Sequence, residues 1–173
     1  MSQIRSIPFA VAGALLLTGA SGADVLDDIG HTALLERLGS EAPTGAGVVV
    51  GQVEVPDPGY GPNQTNGDFA GVSFIERSGV AGTSSHATQV ATNFYGTSDS
   101  PAPGIDTVNL WDVNDFIGSG FLRIGTSQTP TPPPGGLKVF NHSWIGEFPN
   151  AASNIEALRR ADYSANTFRT LWI

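Results

Sequence analysis

Val48, Val49, Val50, Gly51, Gln52 and Val53 form a nearly unbroken apolar, β-branched run. A strand with water on one face alternates apolar and polar residues, so a run without alternation belongs to a strand covered on both faces, as in a parallel sheet. Parallel neighbours require crossover connections, and the run therefore predicts helices between further strands. They follow in order. Ser84 and Ser85 can cap a helix whose Ala87, Val90, Ala91 and Phe94 share one face, with Gly96 after its last turn. Residues 105–113 predict a second strand, and 114–122 a short helix weakened by Gly118 and Gly120. TPTPPPGG at 129–136 is a stiff surface loop, 138–144 a third strand, and 150–166 a helix with Ile155, Leu158 and Ala161 on one face. Leu171, Trp172 and Ile173 open another apolar run, at which the sequence stops. The alternation predicts an α/β fold, a parallel sheet flanked by helices and incomplete at its C-terminus.

The sheet is preceded by two segments of different character. Arg5, an apolar run over 7–17 and the small residues Ala20, Ser21, Gly22 and Ala23 predict a cleaved secretory leader over 1–23. The run is shorter than the roughly 20 apolar residues that span a bilayer. Residues 24–46 read as a packing arm with an amphipathic turn at Leu34, Leu35 and Leu38, and His31 there as a solvated histidine; 47–173 is the domain. Eight Lys and Arg stand against 16 Asp and Glu, a net charge of −8 that disfavours nucleic acid and anionic membranes as partners. Cysteine is absent, which removes disulfides, thiolate metal sites and a cysteine nucleophile. The Asp-, Asn- and Gly-rich stretch 57–71 lacks the spacing of a calcium loop, so no metal and no cofactor is expected.

Two titratable residues meet the geometric condition for chemistry in such a sheet, where groups gather outside the carboxyl ends of the strands. Glu54 ends the first strand, and His86 opens the helix that precedes the second. A carboxylate that accepts from one imidazole nitrogen fixes the tautomer and leaves the other nitrogen to deprotonate a hydroxyl. The blocks GAGVVVGQVE, SSHATQVA, APGIDTVNLW, GSGF and VFNHSWIG are similar in order and spacing to the first half of the subtilisin-like serine peptidases, the subtilases. His86, Thr88, Val90 and Ala91 match the family's His-Gly-Thr-His-Val-Ala-Gly pattern, whereas Ala87, Gln89 and Thr92 depart from it.

The resemblance implies His86 as general base and Glu54 in the position of the orienting acid, with Asp57 as the rival. The family has Asp followed by a small residue and Gly there; this chain has Glu54, Val55 and Pro56. It also implies that Ser143, Trp144, Ile145 and Gly146 present an extended edge to a peptide or protein substrate, and that His142 beside them is structural. The family's oxyanion asparagine and serine come later than Ile173, so the resemblance implies a secreted endopeptidase present as a fragment without its nucleophile. Two alternatives remain: a catalytically dead subtilase-like secreted binding module, and an exported ester hydrolase. The second requires a Gly-x-Ser-x-Gly elbow and the order Ser, acid, His; the sequence has neither.

Overall fold

The computed structural model describes residues 25–146 and 148–173, and the leader expected over 1–23 lies outside them. Five strands form one sheet: β1 (Val49–Glu54), β2 (Ser73–Glu76), β3 (Thr107–Asp112), β4 (Val139–His142) and β5 (Leu171–Trp172). Their order is β2-β3-β1-β4-β5 and every neighbouring pair is parallel. The arm forms α1 (Val25–Asp28) and α2 (His31–Leu38). Helix α3 (Ser85–Tyr95) joins β2 to β3, α4 (Val113–Asp115) follows β3, and α5 (Ala151–Phe168) joins β4 to β5. The fold is thus α/β with helices flanking an all-parallel sheet. Among the described residues no helix is long and apolar enough to cross a membrane.

The central place of β1 accounts for its composition. Val50 pairs with Val108 on one side and Val139 on the other, and β1 is buried from Val50 to Glu54. Side chains alternate between two cores. Val50, with Val108 and Leu110, packs against Ala91 and Tyr95 of α3. Val53, with Trp111 and Phe140, packs on the opposite face against Phe116 and Phe121, which stack at 4.7 Å. Gly51 belongs to that second face. A Cβ there would lie 2.7 Å from a ring carbon of Phe140 and 3.1 Å from Trp111, so only glycine lets the two rings close over the strand.

Several boundaries differ from the sequence expectation. β4 stops at His142 because Val53, its partner, is nearly the last residue of β1, and the chain beyond has no strand to follow. β3 begins at Thr107 because Ile105 closes a turn onto Ala102, and Asp112 ends it by accepting from Asn114 N at 2.7 Å. The helix expected over 114–122 is α4 followed by a wide turn over Phe116–Gly120, in which Gly118 leaves helical dihedrals. β2 was not anticipated, since four residues paired on one side of an edge carry too little periodicity.

Helix α5 forms as expected, but the face carrying Ile155 and Leu158 does not enter a core. Their exposures are 49% and 61%, while the small Ala157 and Ser164 are buried instead. Arg160 ties the helix to the loop before the prolines, donating to Leu122 O at 3.0 Å, Gln128 O at 2.6 Å and Thr126 O at 2.7 Å.

Candidate active site

The sheet reverses direction of build between β1 and β4. The chain leaving β1 goes to the β2–β3 side, and the chain leaving β4 goes to β5, so a crevice opens beyond the carboxyl ends of these two strands. Glu54 closes β1 at that rim. The start of α3 is brought to the same rim by a close pairing of loops. Tyr60 N donates to Ala81 O at 2.9 Å and Ser84 N to Gly61 O at 2.8 Å. A Cβ on Gly59 would lie 2.5 Å from Thr83 N, so the loops approach this closely only with glycine there. Ser84 then caps α3 by accepting from Ala87 N at 3.3 Å, which fixes His86 in the first turn.

The structure brings Glu54 and His86 together. His86 Nε2 lies 3.5 Å from Glu54 Oε2, with the Glu54 side chain 1% exposed and that of His86 59% exposed. The separation is that of an ion pair rather than a made hydrogen bond, and Oε2 has no hydrogen-bond partner among the described residues. His86 Nε2 is 2.9 Å from Ser143 O. Both neighbours of Nε2 are acceptors, so Nε2 is the ring nitrogen placed to donate to the carbonyl, in the neutral and the charged ring alike. Burial raises the Glu54 pKa above the ordinary carboxyl range, opposed by a hydrogen bond from Gln52 and by the charge of His86.

Asp57 makes no ion pair with His86 but borders the same cleft, of about 700 Å³, with Val55, Ser143, Trp144 and Ile145. Gly146 lines an adjoining cleft with Trp144, Ile145 and Phe148. Ser143–Gly146 leaves the sheet: the backbone groups of Trp144, Ile145 and Gly146 have no partner among the described residues, and Ile145 is 98% exposed. His142 is half-buried, with its Nε2 closed off from solvent, and stacks on Trp172 at 4.6 Å. Trp144 Nε1 donates to its Nδ1 at 3.1 Å, and burial pushes its pKa down to about 4.

Sequence reasoning passed over Gln52. Its signal was a lone amide inside an apolar strand, two positions before Glu54 and hence on the same face. Gln52 Nε2 donates to Glu54 Oε1 at 2.9 Å and to Ala87 O at 2.9 Å, and Tyr95 OH donates to Gln52 Oε1 at 2.6 Å. No family model, no curated protein and no solved structure compared with this chain matches it.

Proposed function

We propose that this chain carries the acid and histidine side of the catalytic site of a secreted, subtilase-like serine endopeptidase. The observation that carries the reading is the buried Glu54 carboxylate, at the end of the central strand and 3.5 Å from the imidazole of His86, beside an open cleft. In this reading His86 Nδ1 takes the proton of a serine hydroxyl as its oxygen attacks the scissile carbonyl. Glu54 stabilises the imidazolium so formed, and the proton passes to the leaving amine as the C–N bond breaks, leaving an acyl-enzyme for water to hydrolyse. The unpaired backbone of Trp144–Gly146 offers an edge on which an extended peptide adds as a strand, its side chains entering the neighbouring clefts.

Among the described residues no hydroxyl is hydrogen-bonded to His86, whose bonded partner is the Ser143 carbonyl, while the Ser143 hydroxyl is bonded to Asn141. In this reading serine and oxyanion donors come from outside the described residues, and these residues by themselves are expected to show no turnover. The test is to sequence the gene beyond codon 173 and treat the translated product, and the 173-residue chain, with a fluorophosphonate probe and a casein-type substrate. A continuation with a serine in a small-residue turn is expected to be labelled, and His86→Ala to abolish labelling. Labelling indifferent to His86→Ala, or a stop codon directly after Ile173, would overturn the reading.

A binding module without catalysis is favoured by one distance: His86 Nε2 sits closer to Ser143 O than to Glu54. A folded continuation that binds peptides and takes no label would establish it.

A further inference from the structure

We infer that Gln52, its amide held in one orientation by Tyr95, is the positioning residue that keeps the Glu54 carboxylate and the first turn of α3 in register. The inference rests on reading Glu54 and His86 as an acid–base pair.

The argument begins with hydrogen-bonding capacity. A side-chain amide has two N–H donors and one carbonyl oxygen. Both donors of Gln52 are used, one on Glu54 Oε1 and one on Ala87 O, each at 2.9 Å. Its oxygen accepts from Tyr95 OH at 2.6 Å. Rotating the amide by half a turn would set its oxygen against a carboxylate oxygen and a backbone carbonyl oxygen, two acceptor–acceptor contacts in a buried place. Burial and the nearby Glu54 hold the Tyr95 pKa well above 10, so the phenol keeps the proton that it donates to Gln52 Oε1. Gln52, Glu54 and Tyr95 are all fully buried or nearly so, and water does not compete for these bonds.

The brace has a geometric consequence. Gln52 reaches from the central strand to both ends of α3: the carbonyl of Ala87, next to His86, and the hydroxyl of its last residue. One nitrogen thereby bonds the acid and the residue following the histidine. With Oε1 held by Gln52, Oε2 is the carboxylate oxygen turned toward His86. The titratable groups acting on Glu54 and its brace are His86 and Tyr95, both from α3.

The experiment is NMR on the full chain, which does not depend on turnover. In the wild type, the Gln52 side-chain amide protons are expected to exchange with solvent far more slowly than those of the exposed Gln89, and one of them is expected to shift with the same midpoint as the Glu54 carboxyl ¹³C signal. Gln52→Leu is expected to move the Glu54 midpoint to higher pH, and Tyr95→Phe to speed exchange of the Gln52 amide. Gln52 protons that exchange as fast as those of Gln89, or that ignore the Glu54 titration, overturn the inference whether or not a variant folds. His86→Ala tests the pair separately. If it leaves the Glu54 titration unchanged while the Gln52 protons still follow that titration, the acid–base reading fails and the brace on Glu54 stands.

Discussion

His142 shows how burial alone can make one residue a source of pH sensitivity. Its pKa of about 4 lies below the 6.5 of an unperturbed histidine, so between those values the unfolded chain binds the proton that the folded chain excludes. Stability therefore falls as pH drops from about 6.5 toward 4 and is untouched by this group above that range. The full loss amounts to about 3 kcal/mol, at 1.36 kcal/mol per pKa unit. Protonation at Nδ1 would also break the bond from Trp144. Urea midpoints at pH 7.5 and pH 4.5 check this: the midpoint is expected to fall less for His142→Phe than for the wild type, and equal falls would show that His142 takes up its proton in the folded state without penalty. Glu54 acts with the opposite sign. Its raised pKa gives stability that is present below the ordinary carboxyl range and is lost as pH rises through its folded midpoint.

At the scale of elements, α3 and β1 carry the candidate site, and each has one position where a small change is expected to tell. Ser84→Ala removes the cap of α3 and is expected to cost about 1 kcal/mol in denaturant unfolding. Gly51→Ala places a methyl against Phe140 and Trp111 and is expected to cost about 1–3 kcal/mol as the aromatic face is pushed apart. Both elements were legible in the sequence for the same reasons that they fold: the unalternating valines mark a strand with sheet neighbours, and two serines ahead of a spaced apolar face mark a helix start. The convergence of Glu54 and His86 was legible from the rule that strand ends and helix starts meet at one rim. The brace through Gln52 was not, because an amide in a strand does not announce its partners, and Tyr95 lies 43 residues away. β2 was hidden by its length. The burial of Ala157 in place of Leu158 was hidden because periodicity identifies an apolar stripe without saying what stands opposite it.

In the whole molecule the sheet divides two interiors of different chemistry. The side covered by α3 holds the polar chain from Tyr95 to Glu54, set among aliphatic residues and the rings of Phe69 and Tyr95. The other side is an aromatic mass in which Trp111, Phe116, Phe121, Phe140 and Trp172 lie within 4.7–6.3 Å of one another wherever their rings pair. β1 and β3 contribute side chains to both, so the two interiors are expected to melt together, as one denaturant transition with the same midpoint by backbone and side-chain probes. The division also makes the molecule optically one-sided. All three indoles, Trp111, Trp144 and Trp172, belong to the aromatic side, whereas Tyr60 and Tyr95 belong to the other. Emission excited at the red edge thus watches a single layer, while far-ultraviolet dichroism watches both. Of the three indoles only Trp144 borders the cleft beside His86, so a change in emission colour on adding a peptide would come from that wall.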